Sequence, residues 1–409
     1  MALNPRSANR NISPPPIRRQ YQHFRTETSL SAKLRILRIS AWNVNGVTLF
    51  VTPYLRRQPE RGQHDIRSCF RTDPRGMARS RKHNCPRQDE RAGDKLSLRG
   101  SLERLGWPHI LCLQEIKIKR GDALTMDAVR AAIAVAVLLP REGVHFNLPC
   151  DPHDVKGFGS KVYGVATVVR RSFARAHVET VTWDKEGRIQ IIETRDLTLP
   201  ICTSDPKPSA FSSSKQSPIS ELIGAPSESE KGFDNDTVKL TIINIYAVNG
   251  TSNPWRSPEG SIVGTGHDRK LAVHYELLCE VKCLEDRGFA FVIAGNVNVA
   301  RNARDGYPSL RTWLSQPIVN RKDFNKKFFS DGLVGLDPGA ERVLTSEHSK
   351  SYYPRGRDWG SSCDRVDLII ATRALGRLLV DAGICDNSID RGPSGHCPIW
   401  AEFGRELEA

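Results

Sequence analysis

Short apolar runs that stop at an amide, a carboxylate or a glycine turn recur along this chain, and they constrain its fold more than any other feature. The first, Leu34-Arg-Ile-Leu-Arg-Ile-Ser-Ala-Trp-Asn-Val-Asn-Gly, alternates like a strand and ends in a glycine turn. Ile110-Leu-Cys-Leu-Gln-Glu is a short continuous apolar run of the kind buried on both faces. Further strands are predicted at Val162–Val169, Arg188–Glu193, Val238–Tyr246, Ala290–Ala294 and Val366–Ala371. Met126–Leu138 and Asp268–Asp286 carry helical patterns instead. Strands alternating with helices, plus hairpin-like pairs, predict an α/β protein with mixed sheets.

The intervals between these runs set the organisation. Residues 1–33 hold Pro14, Pro15 and Pro16, scattered Arg and Asn, and no acidic residue before Glu27, which predicts a disordered basic tail. Such a tail suits a nuclear signal or a DNA-touching arm; a mitochondrial presequence is the alternative, opposed by the proline run. Order is expected from Leu34, with one domain over 34–404 broken by polar inserts at 53–95 and 203–236. His64, Cys69, His83 and Cys85 in the first insert follow no structural zinc spacing. Ten cysteines without a CxxC pair suggest reduced thiols in an intracellular compartment. Cys279 and Cys283, one helical turn apart, are expected to be buried small apolar residues. The longest apolar run, Ala131–Leu139, is far short of the ~20 residues that span a bilayer, so no membrane partner is expected. The formal charge of +14 favours a polyanion such as nucleic acid.

Six polar blocks sit at or near strand ends, where an α/β scaffold presents a site. They are Asn43-Val-Asn45-Gly46, Leu113-Gln-Glu115-Ile-Lys117, Asn244-Ile-Tyr246-Ala-Val-Asn249-Gly250, Gly295-Asn296-Val-Asn298, Asp364-Arg365-Val-Asp367 and Ser394-Gly395-His396-Cys-Pro398. Each alone reads as a turn or a solvated strand end. Their shared order resembles the exonuclease III family of apurinic/apyrimidinic (AP) endonucleases, within the endonuclease/exonuclease/phosphatase superfamily. The resemblance runs from about Leu34 to Phe403 without the two inserts. It implies a DNase I-like, four-layer α/β (α+β) sandwich, two packed mixed β-sheets flanked by helices, with the site at one edge.

The resemblance also implies roles. Glu115 matches a metal-binding glutamate, and Asn43 and Asn45 match the strand end that helps to hold metal and phosphate. The implied cofactor is Mg2+, with Mn2+ as a substitute, because hard carboxylate and amide oxygens suit such cations. Tyr246 matches a phosphate-contacting tyrosine, and Asn298 matches an asparagine that orients water or a phosphate oxygen. His396 matches the histidine facing the scissile phosphate, and Asp367 the aspartate that orients its ring. Lys117, two residues past the glutamate, is placed as in the family to support the cation site or DNA; Asn249, Tyr352 and Arg365 fall where DNA contacts are expected, and Tyr353 shares with Tyr352 the place of an aromatic wall. The implied partner is DNA, duplex with an abasic site or a 3′ end, met by a monomer.

Two departures cut against activity. Asn296 stands where the family has an aspartate that positions or activates water, and an amide takes up no proton near neutral pH. Gly395 stands where the family has an aspartate supporting histidine and metal. Losing a catalytic base typically costs ~10²–10⁴ in rate. The sequence therefore carries two main readings: a DNA repair phosphodiesterase with impaired hydrolysis, and a non-catalytic DNA-binding protein. Another phosphodiesterase or phosphatase branch, such as an inositol polyphosphate phosphatase or a sphingomyelinase, fits the basic balance but fits the Leu-Gln-Glu-x-Lys and Asp-Arg-x-Asp blocks less well. A retrotransposon endonuclease shares the core motifs, but no polymerase accompanies them here.

Overall fold

The computed structural model describes residues 34–55, 96–134, 143–151, 161–170, 177–200, 237–312, 315–329, 349–376 and 378–406. The tail, most of both expected inserts and the four candidate zinc ligands lie outside these residues. The principal strands are β1 (Leu34–Asn43), β2 (Ile110–Gln114), β3 (Val144–Asn147), β4 (Val165–Val169), β5 (His177–Thr180) and β6 (Ile189–Pro200). They continue with β7 (Thr237–Tyr246), β8 (Phe289–Asn296), β9 (Asp367–Ala371), β10 (Leu379–Ile384) and β11 (Ile399–Glu406). One sheet runs β10-β11-β1-β2-β4-β3 and the other β9-β8-β7-β6-β5. Both are mixed: β1 and β2 are parallel, as are β7 and β8, and the other neighbours are antiparallel.

The period-two pattern explains the layering. Along β7, Leu240 and Ile242 face the other sheet, while Ile243 and Ile245 face outward onto helices. Leu37, Ile39, Cys112 and Ile399 meet Ile242, Val292 and Ile369 in the core between the sheets. Helices α1 (Thr48–Leu55), α2 (Leu98–Arg104) and α3 (Ala123–Ile133) cover the outside of the first sheet through residues such as Phe50, Leu102 and Val129. Helices α4 (Gly266–Asp286) and α5 (Ser315–Phe329) cover the second through Leu277, Val281, Phe324 and Phe328. The four-layer expectation is met.

Local chemistry sets the element ends. Asp122 caps α3 by accepting from Thr125 N at 3.0 Å, so the helix begins three residues before the predicted Met126. A capping box between Thr265 and Asp268 starts α4. Pro53 lies inside α1, so the first three residues of the segment read as an insert are helical. Cys279 and Cys283 are exposed on α4, correcting the expectation of burial: the stripe through Val273, Leu277, Val281 and Leu284 faces the sheet, and the cysteines sit off it. No helix among the described residues is long and apolar enough to cross a membrane.

Between the sheets a polar bridge interrupts the apolar core. Gln114 Nε2 donates to Asn244 Oδ1 at 2.9 Å, and Asn244 Nδ2 donates to Thr167 Oγ1 at 3.0 Å. Gly295 makes room for it, because a Cβ there would stand 2.9 Å from Gln114 Nε2 and 2.2 Å from Ile245 O. This bridge underlies the edge where the polar blocks converge.

Candidate active site

The parallel pairs bring four strand ends to one edge: Asn43 and Gln114 in the first sheet, Tyr246 and Asn296 in the second. Antiparallel β9 begins there with Asp367 opposite Asn296. His396 precedes β11, whose Ile399 pairs with Ala41.

Asp367 and His396 join the two halves. Asp367 Oδ2 lies 2.8 Å from His396 Nδ1, and both side chains are buried. A carboxylate only accepts, so Nδ1 donates and Nε2 is the ring atom left for a ligand. The ring is further fixed: Tyr352 packs with its centroid 4.7 Å away, and Trp42 Nε1 donates to His396 O at 3.0 Å. Ser394 Oγ accepts from His396 N at 3.0 Å and donates to Asn43 O at 2.5 Å. Ser351 Oγ accepts from Asp367 N at 3.0 Å, while Asp367 Oδ1 is buried without a partner.

Asn296 and Asn298 form a rigid turn. Asn296 Oδ1 accepts from Asn298 N at 2.9 Å, and Asn298 Nδ2 donates to Ala247 O at 2.7 Å. Asn298 holds a left-handed backbone at φ 54° and receives Lys270 Nζ on its carbonyl at 2.6 Å. These bonds leave its Oδ1 for a ligand. Lys270 is buried beneath this turn, and burial pushes its ammonium pKa down to about 7. Tyr246 is buried beside Arg188, whose guanidinium carbon lies 4.9 Å from the phenol centroid. Burial, with the nearby charge of Glu115, pushes the phenol pKa up and keeps it a neutral donor. Glu186 holds Arg188 at 2.5 Å and Arg269 at 2.8 Å.

The third group is Asn43, Asn45, Glu115 and Lys117. Asn43 Oδ1 accepts from Asn45 N at 2.9 Å, and its Nδ2 is buried without a partner. Lys117 Nζ donates to Asn45 Oδ1 at 2.5 Å and lies 2.8 Å from Glu115 Oε1. Asn45, Glu115 and Lys117 all have left-handed backbones, at φ 48°, 55° and 50°. That conformation is uncommon outside glycine, so the chain carries local strain to aim these three side chains at one point.

This donor set does not make the magnesium site the resemblance implies. Mg2+ takes six oxygens near octahedrally at about 2.0–2.1 Å, usually through one or two carboxylates. Here Glu115 is the one carboxylate of the group, and an ammonium already binds both it and Asn45. Asn296 and Gly395 supply no further acid. Among the described residues no group of three or more His, Cys, Asp or Glu is placed to hold a metal.

The remaining predicted residues fall at varied distances from this chemistry. Asn249 is exposed on the loop after β7. Tyr352 lines the site against His396, whereas Tyr353 is buried, donates its hydroxyl to Asp386 and stacks on Trp359 at 3.8 Å. Arg365 is corrected: it is 6% exposed, and its Nε donates to Asp305 Oδ1 at 2.6 Å in a buried ion pair, so it reaches no DNA surface. Sequence reasoning missed Arg188, Lys270, Ser351 and Tyr163, whose ring centroid lies 5.7 Å from Lys117 Nζ, and it quoted Ser394 without giving it a role. Lys270 had a readable signal, since it sits on the buried stripe of α4 with Val273, His274 and Leu277.

Solved structures of AP endonucleases share this two-sheet fold. The catalytic domain of APE2 from Xenopus laevis superposes with a TM-score of 0.52 at 18% identity, covering 91% of this chain and 94% of that one. The AP endonuclease LMAP from Leishmania major gives a TM-score of 0.53 at 14% identity, over 91% and 88% of the two chains. No protein-family model and no curated protein matches the chain.

Proposed function

We propose that this protein engages DNA as an exonuclease III-type AP endonuclease-like phosphodiesterase, at abasic sites or 3′ ends, with hydrolysis strongly reduced by Asn296 and Gly395. The observation that carries the reading is the buried Asp367–His396 bond, at 2.8 Å, on the same edge as Tyr246 and Asn298. These groups offer a phosphodiester what its recognition needs. The Tyr246 phenol and His396 Nε2 are hydrogen-bonding heads for phosphate oxygens, and the Asn298 oxygen can hold a water in line. Asp367 fixes the tautomer. The formal charge of +14 favours encounter with DNA.

The test is a labelled duplex carrying one abasic-site analogue, incubated with Mg2+. The parent runs beside Asn296→Asp/Gly395→Asp, with Glu115→Ala as the blank. The reading expects little or no cleavage by the parent and cleavage by the double variant. Brisk parental cleavage would remove the roles given to the two missing acids. Silence from both would remove the claim that these acids are what the site lacks.

A second reading is a DNA-binding protein without hydrolysis. The specific observation favouring it is the Lys117 ammonium bonded to Asn45 and Glu115 at 2.5 and 2.8 Å. Tight binding without cleavage in the parent selects it.

A further inference from the structure

We propose that the Lys117 ammonium is the resident cation of this site, and that it meets a DNA phosphate in place of a divalent metal. The inference rests on the DNA-engaging reading above and deepens it. An ammonium has three donors. Two are spent on Asn45 Oδ1 and Glu115 Oε1, at 2.5 and 2.8 Å, and the third is left for an incoming oxygen.

The surroundings are built for an ammonium. Its nitrogen lies 5.7 Å from the centroid of the Tyr163 ring, within cation–π range. The Lys117 backbone N donates to Tyr163 O at 3.0 Å, which ties lysine and ring to one frame. Gly46 turns the chain beside the stem at φ 106°, a conformation that favours glycine. Three residues in left-handed conformation, Asn45, Glu115 and Lys117, hold the heads together.

Formal charge points the same way. Glu115 and Lys117 cancel, and Asp367 is committed to His396 at 2.8 Å. A dication entering here would be repelled by the ammonium and would gain one carboxylate shared with it. Magnesium also gives up its water reluctantly, so its entry is unfavourable. A phosphate, by contrast, needs a point charge on a fixed stem, which lysine supplies.

Two measurements test this. Affinity for a duplex with an uncleavable abasic-site analogue is read in EDTA and in Mg2+, for the parent, Lys117→Met and Glu115→Gln. Separately, Mn2+ binding without DNA is titrated by electron paramagnetic resonance up to millimolar metal. The ammonium role expects parental affinity to differ by less than about twofold between EDTA and Mg2+, in buffers matched for ionic strength. Lys117→Met should weaken binding about tenfold or more and lower the log–log salt slope by about one. Glu115→Gln keeps the ammonium while removing a negative charge beside the phosphate and should raise affinity, and the parent should take up no Mn2+.

Parental binding that requires Mg2+, or Mn2+ uptake by the parent that Glu115→Gln abolishes, overturns the inference. So does DNA binding by Glu115→Gln that is no tighter than the parent's, an outcome that does not depend on whether Lys117→Met folds. If the parent binds no duplex under either condition, the proposed function fails, and the manganese titration still decides between metal and ammonium.

Discussion

Replacing Asn296 by aspartate should destabilise the fold, and the size of the effect follows from the register. Asn296 pairs directly with Asp367 across β8 and β9, and only 1% of its surface is exposed. Opposed side chains in such a pair sit about 5 Å apart, and two carboxylates at that distance repel by about 3 kcal/mol at an effective dielectric of about 20. One oxygen of the new carboxylate keeps the bond from Asn298 N, now charge-assisted, which returns about 1 kcal/mol. The net loss at neutral pH is about 2 kcal/mol. Burial and repulsion raise the pKa of this carboxyl above its unfolded value of about 3.9. The unfolded state then binds fewer protons between the two values, so the deficit grows as pH rises through that window and vanishes below it.

The assay is urea unfolding of parent and Asn296→Asp, followed by tryptophan fluorescence in EDTA at several pH values. Gly395→Asp alongside needs the Tyr352 ring to give a few tenths of an ångström, because a Cβ would meet Tyr352 Cε2 at 3.2 Å. With both acids in place, Mg2+ should recover stability, since a cation that binds only the folded state stabilises it by mass action. Equal stability of Asn296→Asp and parent in EDTA at pH 7, or no magnesium response in the double variant, would refute the account of this edge as a cation site missing its acids.

Two further predictions concern buried charges. Lys270 has its pKa lowered to about 7 in the fold against about 10.4 unfolded, so the unfolded state binds the extra proton between these values and stability rises with pH there. Lys270→Met removes the term: parental stability should gain on the variant by about 2–3 kcal/mol from pH 7 to 9 in urea titrations, and parallel curves would refute the shift. Arg365→Met takes the guanidinium from the buried Asp305 carboxylate, which keeps N–H bonds from Arg301 and Asn302, and should cost about 3 kcal/mol in thermal or urea unfolding. Its DNA affinity, measured where it is folded, should equal the parent's; a loss would restore the surface contact that the sequence suggested.

The contrast between Lys270 and Arg365 shows what was legible. Strand runs such as Val238–Tyr246 and their polar ends could be read because period-two burial and turn residues are local signals. The Asp367–His396 contact was anticipated because both belong to ordered blocks of one family pattern. Arg365 was misread because only tertiary packing, with Asp305 brought in from 60 residues away, buries its guanidinium. The left-handed conformations of Glu115 and Lys117 leave no mark in residue type, unlike that of Asn45 in its Asn-Gly turn, so the bonds by which one ammonium joins Asn45 and Glu115 could not be read. Arg188 lay in Asp184-Lys-Glu-Gly-Arg, whose Gly187 at φ 63° makes a turn that could have drawn notice. The pairing order β10-β11-β1-β2-β4-β3 is set by contacts distant in sequence and had no local signature.

The bridge between Gln114 and Asn244 has a mechanical consequence. With Asp367–His396 it rivets the sandwich, the one inside the core and the other at the mouth. A molecule seated at the mouth that met Lys117 and His396 from the first sheet and Tyr246 and Asn298 from the second would add a further rivet. Prising the sheets apart then requires its release. Occupancy should therefore register as a rise in melting temperature whether or not a bond is ever cut, and ligands can be ranked on this protein without any turnover.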